Sequence, residues 1–128
     1  MTTLILKNLV KKKFLSKNSH LFLNEIYWLN KLKNYNFVPK ILHIDYKNFT
    51  ISMTYEGEKI SSKNKLKNWS KQLKKILYIL KKNNCFHSDI KPDNLLLNKK
   101  KIVLIDFAQS IKISDLKKDV FFKKRIFF

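Results

Sequence analysis

The sequence predicts an α+β fold, with hairpins and helices following one another rather than alternating as strand–helix–strand units. Three observations carry that reading. Short apolar runs bounded by turn residues come in pairs, at residues 3–14, 40–55 and 95–105, as hairpin strands do. Two other segments, 19–33 and 65–82, repeat their apolar residues every three or four positions, the period of a helix. No Pro/Gly-rich linker and no internal repeat divides the 128 residues, which therefore read as a single domain.

In chain order, residues 3–6 and 9–14 flank Lys7-Asn8 and predict a first hairpin. Residues 19–33 predict a helix that Ser19 can cap, with Leu21, Glu25, Trp28, Leu29 and Leu32 along one face. Pro39 separates it from two strands, Lys40 to Asp45 and Phe49 to Tyr55, joined at Lys47-Asn48 and ending near Gly57. A second helix is expected from about Lys65 to Lys82. Trp69, Leu73, Ile76, Leu77 and Leu80 line one face, lysines cover the other, and Asn83-Asn84 ends it. Leu95–Leu97 and Ile102–Ile105 form a short hairpin over Asn98–Lys101, and a last helix is expected from Asp115 to about Phe127.

Composition narrows the class of function. With 45% hydrophobic and 13% aromatic residues the chain has the means to build a core. No run approaches the roughly 20 apolar residues of a membrane span, and the N-terminus lacks the pattern of a signal peptide. The single cysteine, Cys85, excludes an internal disulfide, and three scattered histidines form no zinc pattern. A reducing cytoplasm is the expected compartment. The net charge of +19 would suit a polyanion partner. However, nearly all the basic residues are Lys, with Arg125 the one arginine, as in a genome rich in A and T. Readers of nucleic acid favour Arg for bidentate contacts. Non-specific, salt-dependent binding to polyanions is expected, and a dedicated nucleic-acid role is not.

The chemistry is concentrated in two segments. His87-Ser88-Asp89-Ile90-Lys91-Pro92-Asp93-Asn94 has the spacing His-x-Asp-x-x-x-x-Asn and follows a long amphipathic helix. Asp106-Phe107-Ala108 directly follows a strand, twelve residues after Asn94. Transfer of a phosphoryl group asks mainly for positioning, for oxygen ligands to metal ions, and for a carboxylate that orients the acceptor hydroxyl. These two segments supply such groups in the order of the protein-kinase signature. The chain thus resembles the protein-kinase-like superfamily, and Asp-Ile-Lys-Pro-Asp-Asn is most similar to the catalytic loop of Ser/Thr-type kinases.

That resemblance implies a two-lobed fold, with a small antiparallel sheet and one helix in residues 1–56 and a reduced helical lobe in 57–128. It implies that Asp89 orients the acceptor hydroxyl and takes its proton, and that Lys91 touches the transferring phosphoryl group. Asn94 and Asp106 would ligate magnesium, while His87 and Phe107 pack beneath. Glu25 would pair with a lysine of the preceding strand. Adjacent strand residues face opposite ways, so only one of Lys11 and Lys12 can do so; Lys11, directly after Leu9-Val10, is slightly preferred. Met53-Thr54-Tyr55-Glu56-Gly57 resembles the segment whose backbone binds adenine, with Met53 at the back of the pocket and Tyr55 beside it.

Four departures from the family pattern stand out. Gly57 is the only glycine, so a Gly-rich phosphate lid is expected to be missing or replaced, for instance by lysines such as Lys7. Ser88 stands where an Arg usually pairs with a phosphorylated activation loop, so that regulation is not expected. Ala108 replaces Gly after Asp-Phe. The sequence ends 22 residues after Asp106, without an Ala-Pro-Glu motif or peptide-docking helices. Lys118-Asp119-Val120 resembles the Lys-Asp-Leu of compact kinases of lipopolysaccharide core sugars and of the KEOPS assembly, where the Asp braces the catalytic loop. The aromatic, basic tail, Phe121 to Phe128, is expected to be a core helix, with a membrane surface or partner as the alternative.

The expected function is an ATP- and magnesium-dependent transfer of phosphate to a hydroxyl, with protein Ser/Thr as first substrate. A sugar, lipid or other small molecule is the alternative acceptor, and an inactive kinase-like binding module the alternative role. Exposed strand edges of a truncated small lobe would invite a partner chain.

Overall fold

The computed structural model describes residues 1–116; the expected helix beyond Leu116, Asp119 and the aromatic tail lie outside them. Strands β1 (Thr2–Ile5) and β2 (Leu9–Lys13) form the first hairpin. A 3-10 turn at Ser16–Asn18 leads into α1 (Ser19–Lys31), then β3 (Ile41–Asp45) and β4 (Thr50–Thr54) follow. All pair antiparallel in the order β1-β2-β4-β3, which places β2 between β1 and β4.

α1 is helical because its apolar residues fall on one stripe: Phe22, Ile26 and Leu29 are buried together with Glu25 and Trp28. The stripe packs on the sheet, where Phe22 meets Phe14 and Phe49 edge-on at centroid separations of 6.0 and 5.7 Å. Ser19 does not cap this helix. The preceding 3-10 turn moves the cap position to Asn18, whose side chain makes no capping bond.

The other half of the molecule is built around α2 (Trp69–Lys82). This helix begins four residues later than its periodicity suggested. The Asn64 side chain bonds Ser61 and the Lys59 carbonyl and holds the preceding stretch in turns, which compete with helix. Ile76 and Leu80 are buried and Trp69, Leu73 and Leu77 pack at the edge of the core, so the expected apolar face is the inner one. β5 (Glu58–Lys59), β7 (Leu95–Asn98) and β8 (Lys101–Leu104) form one small sheet, and β6 (Cys85–Phe86) pairs with β9 (Ile111–Lys112) ahead of α3 (Ile113–Leu116). The two-residue strands β5, β6 and β9 had no sequence signature, because two residues cannot display a period.

One contiguous core runs from Phe14 and Ile51 through Leu80 and Leu104 to Phe107, so both halves share it. The chain crosses between them at Tyr55–Gly57. Gly57 has φ of +114°, and a Cβ there would lie 2.1 Å from the carbonyl oxygen of Leu97, so no other residue fits this crossing without displacing β7. Among the described residues no helix is long and apolar enough to cross a membrane.

Candidate active site

On β2 the side chains alternate: Lys12 and Phe14 point into the protein while Lys11 and Lys13 are exposed. The Lys12 Nζ lies 2.6 Å from Glu25 Oε1 and 3.1 Å from Asp106 Oδ1. The preference for Lys11 is therefore corrected to Lys12. Register explains it, since Lys12 shares its face with Val10 and Phe14, which must go into the core. Glu25 uses its second oxygen to accept the Phe107 N–H at 2.6 Å. One helix residue thus ties the β2 lysine to the segment that carries Asp106.

Electrostatics hold this cluster charged. Burial pulls the Lys12 ammonium down, but Glu25 and Asp106 together outweigh it and leave its pKa above the ordinary lysine value. Burial pushes the Glu25 carboxyl up, against the pull of the Lys12 ammonium and the Phe107 N–H. Two donors at 2.6 Å, one of them an ammonium, hold Glu25 as the carboxylate.

The loop after β6 presents the second group of residues. Ser88 and Asp106 both occupy the left-handed region, with φ of 75° and 65°, a conformation non-glycine residues hold only when their surroundings impose it. His87 is part of that framework. Its Nδ1 accepts the Asp89 N–H at 3.1 Å, so Nε2 carries the proton and donates to the Ile105 carbonyl at 2.9 Å. Its ring meets Phe107 edge-on at 4.8 Å. Burial lowers the His87 pKa, which keeps the ring neutral and this tautomer in place. Asn94 donates through Nδ2 to the Asp89 carbonyl at 2.9 Å and to Asp89 Oδ2 at 3.0 Å. Lys91 Nζ stands 3.6 Å from Asp89 Oδ1.

Lys12, Glu25, Lys91, Asn94 and Asp106 all line a cavity of about 470 Å³, together with Met53 and Tyr55. Val10, Met53, Leu96 and Ile105 contribute apolar lining, and Met1, Thr3 and Ile5 line the cavity as well. Met1, Thr3 and Ile5 alternate along the chain, so one face of the segment that contains β1 lines the cavity. Sequence reasoning missed them. Their spacing of two was the signal; Lys7, the expected replacement for a glycine loop, does not line the cavity. A second, more open cavity of about 410 Å³ between Tyr55, Glu58, Asn64 and Lys99 contains none of the predicted catalytic residues.

The donor set suits magnesium. No cluster of three or more His, Cys, Asp or Glu occurs among the described residues, but magnesium commonly takes one or two protein oxygens and completes its shell with phosphate and water. Asp106 is partly exposed at the cavity wall. Asn94 spends its amide nitrogen on Asp89, which leaves its carbonyl oxygen as a hard ligand.

The protein kinase domain family matches residues 2–126. The chain belongs to that family. Family members in general use ATP and magnesium. Among solved structures, monomeric WbdD superposes with a TM-score of 0.72 at 18% identity. The match covers 98% of this chain and 37% of WbdD, so the kinase-like chain spans little more than a third of that protein's length. At this identity the likeness establishes the kinase-like fold. No curated protein matches.

Proposed function

We propose that the chain is a phosphotransferase that moves the γ-phosphate of ATP, with magnesium, to a hydroxyl group. The observation that carries this reading is one cavity lined by Lys12, Glu25 and Asp106 and also by Lys91 and Asn94, the two residues that hold Asp89 beside it. Adenine would lie against Met53 and Tyr55, which line the cavity. The Lys12 ammonium, held in place by Glu25, would bind phosphate oxygens. Asn94 and Asp106 would hold magnesium, which when bound neutralises phosphate charge.

Asp89 is fixed by Asn94 on one oxygen and keeps the other near Lys91. It is placed to accept a hydrogen bond from an acceptor hydroxyl and then its proton. Lys91 is more than half exposed and is free to turn towards the phosphoryl group as charge moves to the acceptor. Asp-Ile-Lys-Pro-Asp-Asn favours Ser/Thr of a protein as acceptor. Sugars and other small hydroxyl compounds are the alternative class, to be separated by offering each as acceptor.

The test is turnover of γ-labelled ATP by the wild type and by Asp106→Ala. Magnesium-dependent turnover that Asp106→Ala abolishes is the expected result. Equal label release by both proteins would remove the proposal and leave a kinase-like binding module.

A further inference from the structure

The segment after Asp106 is held in an unusual way. Three successive backbone carbonyls each accept a hydrogen bond from a side chain of another element. Asn24 Nδ2 donates to the carbonyls of Ala108 and Ser110, both at 2.8 Å. Ser88 Oγ donates to the carbonyl of Gln109 at 2.7 Å. Trp28 Nε1 adds a second donor to Ser110 at 3.2 Å, and Ser110 Oγ returns a bond to the His87 carbonyl at 3.2 Å.

Asn24 and Glu25 are neighbours on α1, so they leave the helix about 100° apart and reach different parts of this segment. Glu25 takes its first N–H, at Phe107. Asn24 takes two of its carbonyls. With both a donor and acceptors engaged from one rigid helix, the segment can neither slide nor rotate without breaking a bond. Asp106 sits at its root at a φ of 65°, a conformation that persists only when neighbouring contacts over-determine it.

We propose that Asn24 is a positioning residue for the magnesium ligand Asp106, with Ser88 as its counterpart on the catalytic loop. Between them they set the Ala108–Ser110 segment from both sides. The inference rests on the phosphotransfer reading and assigns Asn24 and Ser88 a part in it.

Asn24→Asp keeps the size of the side chain but replaces both donated hydrogen bonds with a carboxylate facing two carbonyls. Its half-saturating magnesium concentration should rise about tenfold, the weight of roughly one lost hydrogen bond, while the maximal rate at saturating magnesium stays within about twofold. Ser88→Ala should show a smaller rise that Ser88→Thr, which keeps a hydroxyl, reverses. Backbone amide exchange at Gln109–Ile111 should quicken in Asn24→Asp and in Ser88→Ala. A purely structural role would lower the thermal midpoint without changing the magnesium dependence. Unchanged half-saturation in a folded Asn24→Asp or Ser88→Ala protein overturns the proposal, as does a rate loss that magnesium cannot restore. If the wild type shows no turnover, the phosphotransfer reading fails first and the positioning role with it. Amide exchange then still tells whether the clamp itself exists.

Discussion

Two lysine–carboxylate pairs mark the candidate site, and they differ in almost every physical respect. Lys12 and Glu25 meet at 2.6 Å with side chains 9% and 2% exposed. Lys91 and Asp89 stand 3.6 Å apart with side chains 52% and 38% exposed. A buried pair is costly to break, because the partner left behind has lost its water and its counter-charge. An exposed pair contributes little to stability, which leaves its members free to change partners during a reaction. In the proposed reading the first pair builds the site and the second carries the chemistry.

Breaking the buried pair should give the largest effect. Lys12→Met is expected to lower unfolding free energy by about 3–5 kcal/mol in urea titrations, since Glu25 would be left in the core without its counter-charge. Next comes Gly57→Ala, where a Cβ would lie 2.1 Å from the Leu97 oxygen at a φ that side chains rarely adopt. A loss of about 2 kcal/mol, read as a lower thermal midpoint, is expected there.

His87 supplies a pH dependence of smaller size. Burial, only partly opposed by Ile105, Asp106 and Asp89, sets its folded pKa below the ordinary 6.5. As pH falls through 6.5, the unfolded chain takes up this proton before the folded one does. Stability present above 6.5 is therefore lost progressively towards the lower, folded value. Thermal midpoints measured from neutral pH downwards should fall more steeply for the wild type than for His87→Asn. Breaking the exposed pair should matter less still. Lys91→Ala is expected to change stability by less than about 1 kcal/mol, and Lys11→Met, on the outer face of β2, by about 0.5 kcal/mol or less. A Lys11→Met loss as large as that of Lys12→Met would erase the contrast between the two lysines.

The same contrast bears on what the sequence could tell. The family was legible from His87–Asn94 and Asp106-Phe107, because the chemistry proposed for them depends on residue types at close spacing. Both long helices were legible because a period shows over many residues. The choice between Lys11 and Lys12 was decided by strand register, and Val10 and Phe14, two positions to either side of Lys12, already carried the answer. The grip of Asn24 on Ala108 and Ser110 spans more than 80 residues and left no local trace. Neither did the two-residue strands, which exist only because a partner strand is there to receive them.

The division of labour between the pairs is tested most directly by the rate of γ-phosphate release or transfer from ATP by Asp89→Asn, compared with wild type at matched thermal midpoint. The expected result is a fall of about a hundredfold or more, the weight of a positioned general base, in a protein as stable as the original. A rate within about twofold of wild type would contradict the assignment of the exposed pair to the chemistry.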